Sequence, residues 1–396
     1  MSKTRGLLQG SILSTVILVF GVANAHAADP NNVAARLKAT FAEQGVTLAW
    51  GSVSGDDSSM VLHGVTASAE GSPKPAAVGD VTLAGISEQN GAYLIGKVTM
   101  PDYSVTSDGT TVAASGIGIS GLRLPAPGDK DDPMAGLMLY DHAQIQDILV
   151  KNGDDAVFDA SNCDIDITPG GNGGPLKFSG AVEHFTADLS ATEDPKAKVV
   201  IQALGYETID GAIEMAGSWS PSDGRMDIGK YEVSVNNAGK LAISLDMSGY
   251  TRDFIKSVRR VREEMTAHPK KNNSAQGLVL LGLLQQLSFS SAKISFTDAS
   301  LTGKVVDYLA AQQHMKREDI INQAKAILPF ALAKMNNPEF SAKVTAAVSK
   351  FLDDPKSLTV AAAPPSPLPL GILIAGAMAA PKQIPDQLGV SVTANQ

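Results

Sequence analysis

Apolar and polar residues alternate with a period of two over most of the first 250 positions of this chain, then switch to helical spacing. That switch divides the sequence before any motif is considered. At the start, Val33, Leu37 and Phe41 fall four apart behind Asp29-Pro30, a capping residue followed by proline at the first helical position, which predicts a short helix over 30–44. From Val46 to Gly249 the alternating sets Val46/Leu48/Trp50, Val81/Leu83, Val98/Met100, Ile117/Ile119 and Ile165/Ile167 predict half-buried strands. Turn chemistry separates them at Glu88-Gln89-Asn90-Gly91, Thr106-Ser107-Asp108-Gly109 and the glycine-rich run from Pro169 to Gly174.

The run from Ala212 to Met247 is the clearest unit. Its alternating segments are joined through Pro221-Ser222-Asp223-Gly224 and Asn236-Asn237-Ala238-Gly239, which describes a three-stranded antiparallel meander. Gly85, Gly96, Gly118 and Gly180 lie inside strands, where they permit bulges and strong curvature. A long curled antiparallel sheet is the expected product. Helical spacing then places Phe254, Ile255, Val258, Val261 and Met265 on one helix and Leu301, Val305, Tyr308 and Leu309 on another. A further helix is expected over 318–335, and Asn337-Pro338 caps one running to Phe351. Leu287–Phe296 alternates and returns to the sheet, 357–362 and 388–393 read as closing strands, and 363–369 is a stiff proline-rich bridge. Ile372–Ala380 is apolar but far short of a membrane span, so a short buried helix is expected there. The fold class is therefore α+β. It comprises a leader over 1–27, a β body over 28–250, a mainly helical segment over 251–356 with a returning strand near 287–296, and a closing region over 357–396.

The amino terminus adds an address. Lys3 and Arg5, the apolar stretch Ile12–Val22 and the small-x-small site Ala25-His26-Ala27 have the layout of a cleavable bacterial secretory signal, with cleavage after Ala27 and a periplasmic product. The competing reading, an uncleaved anchor, is opposed by Gln9, Ser11, Ser14 and Thr15, which interrupt the apolar run; no stable transmembrane segment is expected after cleavage. The formal charge is −9 and becomes two units more negative without Lys3 and Arg5, which disfavours nucleic acid as a partner. Cys163 is the only cysteine, so no internal disulfide can form and the thiol is expected to behave as a small apolar residue. Aromatic residues make up 5 % of the chain against 37 glycines, a lean composition that suits long regular sheets.

Spelling matches to catalytic motifs fail on context. Gly116-Ile117-Gly118-Ile119-Ser120-Gly121 has the dinucleotide-binding letters, but Leu122-Arg123-Leu124-Pro125 continues a strand where a helix must begin. Asp164-Ile165-Asp166-Ile167-Thr168 has the letters of a haloacid-dehalogenase-like phosphatase. The aspartates alternate with isoleucines, however, and so occupy the solvent face of an antiparallel strand, with a weak cation site shared with Asp154, Asp155 or Asp159 as the remaining option. The histidines have no H-x-x-x-H pair, and Gly51-Ser52-Val53-Ser54-Gly55 puts valine where a nucleophile elbow needs serine. No cofactor is expected. One local charge anomaly remains. Arg252, Lys256, Arg259, Arg260 and Arg262 lie on a helix whose other face is apolar, a pattern that suits contact with an anionic membrane or lipid headgroups as well as a plainly solvated face.

The meander over Ala212–Met247, the strand start Leu176-Lys177-Phe178-Ser179-Gly180 and the closing order of helix, Phe351-Leu352-Asp353-Asp354-Pro355, strand, proline-rich bridge and final strand resemble AsmA-like bacterial envelope proteins and a related uncharacterised periplasmic family. The resemblance covers about the last 220 residues. It implies a curled β-sheet with an apolar inner surface, in some members implicated in moving or holding lipid, and it carries over no functional residue. The expectation is a non-enzymatic periplasmic protein that binds a lipid or apolar small molecule. The alternatives are a scaffold acting through an envelope protein partner, and a hydrolase assembled from dispersed residues.

Overall fold

The computed structural model describes residues 29–69, 75–127, 139–171, 174–267, 274–333 and 335–396, so the leader expectation lies outside the described residues. The chain opens with helix α1 (Pro30–Glu43), whose cap Asp29 accepts from Asn31 N as the sequence predicts. Strands β1 (Val46–Ala49), β2 (Ser52–Gly55), β3 (Ser59–Ala69), β4 (Ala76–Gln89), β5 (Ala92–Thr99), β6 (Tyr103–Ser107), β7 (Thr110–Ser115) and β8 (Gly118–Leu124) follow. Asn90-Gly91 and Asp108-Gly109 join β4 to β5 and β6 to β7 with both loop residues at positive φ, the two-residue geometry that matches strand twist.

Strands β9 (His142–Asn152), β10 (Asp155–Thr168) and β11 (Leu176–Asp188) lead to helix α2 (Pro195–Leu204), which the periodicity does not anticipate. The expected meander is β12 (Thr208–Ser220), β13 (Arg225–Val235) and β14 (Gly239–Ser248). Helices α3 (Arg252–Ala267) and α4 (Ser274–Leu284) precede β15 (Ser288–Asp298); α5 (Leu301–Gln313), α6 (Arg317–Ala333) and α7 (Pro338–Asp353) precede β16 (Ser357–Ala362). The two-residue β17 (Leu368–Pro369), α8 (Leu370–Ala379), α9 (Ile384–Gln387) and β18 (Ser391–Ala394) close the chain.

Every strand pairing is antiparallel. β1 and β2 share one edge of β3, and the sheet continues through β4, β5, β8 and β9. The β6–β7 hairpin pairs with the second half of β9. Beyond β9 the strands run in chain order to β15, then to β16 and β18. The fold is thus α+β, a long antiparallel meander that does not close on itself, with helices concentrated towards the carboxyl end.

The principal core lies at the amino-terminal end of the sheet. There α1 buries Val33, Ala34 and Leu37 against Met60, Leu62, Leu83, Ile95, Leu122 and Leu124. At the other end α7 packs on β16 and β18 through Phe351 and Ala347. The short helix expected over 372–380 forms as α8, but it is not buried: none of its residues is, and Ile372 and Met378 are 58 % and 84 % exposed. Hydrophobic composition predicts burial, yet among the described residues the helix packs mainly on α4, α9, β17 and an adjoining 3-10 turn, which together leave Ile372 and Met378 uncovered.

Candidate functional site: an exposed apolar sheet face

Directly opposed residues of an antiparallel pair project to the same face. Following register from strand to strand therefore traces single rows across the sheet. One such row reads Met60, Leu83, Val98, Ile119, Ala143, Ile165, Gly180, Met215, Tyr231, Ile243, Ile294, Val360 and Val392, apolar or glycine at every step from β3 to β18. The row on the opposite face over β9–β18 reads Gln144, Asp164, Ala181, Glu214, Glu232, Ala242, Ser295, Thr359 and Thr393. On that polar face Lys230 bridges Glu214 and Glu232, Lys240 pairs with Glu232, and the Glu214 carboxyl is held below its usual range by the Lys230 contact.

The apolar row changes environment along its length. Under α1, Met60, Leu83 and Val98 are buried. Further on, Ile165, Tyr231, Ile294 and Val360 are 40 %, 39 %, 50 % and 41 % exposed, and Leu241, one register step away on the same face, is 40 % exposed. Partly covered rows flank this open stretch at the strand ends. On one side Leu176 and Trp219 are buried; Trp219 Nε1 donates to Tyr250 O at 2.8 Å, and the Tyr250 ring leans on Phe254 of α3 with centroids 5.6 Å apart. On the other side Phe296 packs edge-on against Phe351 of α7, centroids 6.3 Å apart. The result is an apolar floor with covered margins. Exposed apolar surface of this kind makes the face a candidate binding surface.

Two devices keep the face continuous. On β11 the register with β12 shifts between Val182 and Phe185, so both side chains stay on the apolar side while Glu183 and His184 are taken up by a bulge. Asn162 on β10, at φ 51, marks the same line, with Cys163 opposite Val182 and Ala160 opposite Phe185. Phenylalanine rings also lie across glycines of the neighbouring strand: Phe178 over Gly217, Phe185 over Gly211 and Phe296 over Gly239.

Arg252, Lys256, Arg259, Arg260 and Arg262 all fall on α3, which turns Phe254 and Val261 inward. Lys256 and Arg260 are exposed and Arg252 is half-buried, while the side chains of Arg259 and Arg262 lie outside the described residues. Asp164 and Asp166 sit on β10 opposite Ala181 and Ser179 on the polar face, as expected of a half-buried antiparallel strand. His142 Nδ1 donates to Asp166 Oδ1 at 2.9 Å, and this hydrogen bond raises the imidazole above its ordinary value. Burial, reinforced by Asp166, raises Asp164. The cation option at Asp154, Asp155 and Asp159 finds no support, since no metal-binding group of three or more ligating side chains occurs among the described residues. Gly116–Gly121 runs into β8, and no helix follows β8 directly among the described residues.

Sequence reasoning missed one constellation. Ser54 Oγ lies 2.7 Å from His63 Nε2, and His63 Nδ1 lies 2.9 Å from Asp80 Oδ2. Gly64 N donates to Asp80 Oδ1 at 2.8 Å, the main reason that carboxyl is held below its usual range. Because an ionised carboxylate only accepts, His63 Nδ1 donates, and a neutral imidazole in this tautomer has Nε2 as the acceptor of the serine hydroxyl. The three residues come from β2, β3 and β4, and only register brings them together. A concavity of about 680 Å³ between α6 and α7 is lined, among the described residues, by small and uncharged side chains such as Ala342, Thr345 and Ser349.

Among the described residues no helix is long and apolar enough to cross a membrane. A family model described as an uncharacterized protein matches residues 232–395, from β13 through β18. No curated protein matches the chain.

Proposed function

We propose that this is a non-enzymatic periplasmic protein that holds the chain of a lipid, or an apolar ligand of similar shape, along the open part of the curled sheet's apolar face. The observation that carries the reading is the exposure of Ile165, Tyr231, Ile294 and Val360 in one register row whose ends are covered by the protein's own helices. The signal-like residues 1–27 supply the compartment, and the likeness to AsmA-like proteins implies the same kind of surface. A sixteen-carbon chain half covered by such a face gains about 6 kcal/mol at ~0.8 kcal/mol per buried methylene, which corresponds to dissociation constants of roughly tens of micromolar. Native mass spectrometry of the protein purified from its own periplasm, with titration of fluorescent oleate, tests this. A bound lipid or saturable oleate binding is expected. A ligand-free species that ignores oleate overturns it, and a stoichiometric protein partner without any small molecule moves the reading to a scaffold.

A second reading, a serine hydrolase, is favoured by the Ser54–His63–Asp80 distances. Against it stands exposure: the His63 and Asp80 side chains are 41 % and 59 % exposed, so water screens the charge that acyl transfer must stabilise. A fluorophosphonate probe decides between the two. Labelling of Ser54 that is lost in His63→Ala establishes the hydrolase, and an unlabelled protein removes it.

A further inference from the structure

The apolar floor leads to a second unusual surface at the Ser288 end of β15. The flanking row Trp219, Met226, Met247, Phe289, Leu368 is continuous in register and reaches β17, from which α8 starts. There α8 lies against α4, and a Cβ at Gly371 would meet Gln285 Cγ at 2.6 Å, so a larger residue there must displace the glutamine side chain. Neither α4 (SAQGLVLLGLL) nor α8 (LGILIAGAMA) carries a charged residue. Both expose large aliphatic side chains: Val279 at 52 %, Leu281 at 46 %, Ile372 at 58 % and Met378 at 84 %. Beside them α3, which packs on α4, turns Lys256 and Arg260 to solvent one helical turn apart, and Lys382 is exposed just after α8. Among the described side chains of these elements Asp253, Glu264 and Asp386 are exposed acids, while α3 over its whole length carries five basic and three acidic residues.

We propose that the α4–α8 tip docks this protein on an anionic membrane leaflet, with Ile372, Met378, Val279 and Leu281 entering the headgroup boundary and Lys256, Arg260 and Lys382 meeting lipid phosphate. The uncovered aliphatic side chains of two helices far below spanning length suit shallow burial at the headgroup boundary, and Lys256, Arg260 and Lys382 beside this uncharged surface favour an anionic leaflet. A docked tip places the Leu368–Phe289 end of the apolar row at the membrane, where a lipid chain can pass onto the sheet. This step rests on the function proposed above, but the docking itself does not.

Vesicle co-sedimentation with the full mature chain tests the docking, using phosphatidylethanolamine vesicles with and without phosphatidylglycerol. Binding to the anionic vesicles is expected to fall at least tenfold in Ile372→Asp/Met378→Asp. It should also fall at least tenfold in Lys256→Glu/Arg260→Glu and drop sharply in 0.5 M salt, since each basic residue near the surface is worth roughly fivefold. All four substituted residues are exposed, so folding should persist, and oleate binding in solution should be unchanged. Wild-type protein that fails to sediment, or variants that sediment like wild type, overturn the docking while leaving oleate binding as the separate measure of the groove. A dimer in sedimentation velocity that Met378→Asp dissociates also overturns it, by assigning the tip to a second copy of the chain.

Discussion

The ring of Phe178 on β11 lies across Gly217 on β12, its register partner: a Cβ added at Gly217 would stand 2.5 Å from Phe178 Cζ and 2.5 Å from Asp227 O. Gly217→Ala should therefore push the ring off the apolar floor and open the β12–β13 pairing. The cost expected from overpacking is about 1–3 kcal/mol, read from the urea midpoint. Pairing with Phe178→Ala separates ring displacement from backbone strain, since the double variant should recover most of the ring-dependent part. An unchanged midpoint in Gly217→Ala would mean that the ring has room to move.

His142 gives a pH-dependent signature. The hydrogen bond from Nδ1 to Asp166 raises its value above the ordinary 6.5, while partial burial pulls the other way. A histidine raised in the folded state contributes stability that is fully present below the unfolded value and fades as pH rises through the folded one. Both side chains are more than a third exposed, so the effect on stability is small and the titration is best followed by NMR of the imidazole. The expected midpoint lies above 6.5 in the wild type and falls to or below it in Asp166→Asn. A wild-type midpoint at or below 6.5 would contradict the pairing.

Cys163 is a built-in reporter of the floor. It stands in register between Ile145 and Val182, and burial, with help from Asp164 and Asp147, pushes its thiol up. Reaction with a disulfide reagent at pH 8 should be several-fold slower than for a free thiol, because less thiolate is present. Saturating oleate should slow it further if the ligand lies on this face. Unchanged protection with oleate demonstrably bound would place the ligand elsewhere.

Asn337 was legible as a helix cap from Asn337-Pro338 alone, and it is one: Oδ1 accepts from Phe340 N at 3.0 Å. Its second role was not legible, because the partners are distant in sequence. Nδ2 donates to Asp386 Oδ2 at 3.0 Å and Lys382 O at 3.2 Å, tying α7 to the segment after α8. Buried and satisfied on both sides, it should cost about 1–3 kcal/mol when replaced by alanine, measured by thermal or urea unfolding.

The same division holds across the molecule. Strands with clean alternation, such as β12, and hairpins with Asn90-Gly91 or Asp108-Gly109 could be read directly, because period and turn chemistry are local. The bulge that holds both Val182 and Phe185 on one face could not, since it is defined only against β12. Nor could the meeting of Ser54, His63 and Asp80, which depends on the register of three strands. The exposure of α8 departs from the sequence expectation for a related reason. Apolar composition says that a segment avoids water, but only the packing of α4 against one side of it decides how much surface stays uncovered.

The decisive distinction is whether the apolar row is a core or a binding surface, and stability and binding should respond differently along it. Leu83 is fully buried beneath α1, so Leu83→Ala should cost about 2–5 kcal/mol through lost burial and a cavity. Ile294 and Val360 oppose each other in the same row at 50 % and 41 % exposure, with no layer above them among the described residues to leave a cavity in. Ile294→Ser and Val360→Ser should each cost at most about 1 kcal/mol, since roughly half of the ~1.5–3 kcal/mol of full burial is already forgone. Oleate affinity should nonetheless fall on the order of tenfold in the double variant, because two hydroxyls replace aliphatic surface at the centre of the floor. Equal destabilisation at Leu83 and Ile294 would make the row an ordinary core and remove the binding face; a folded double variant with wild-type oleate affinity would do the same.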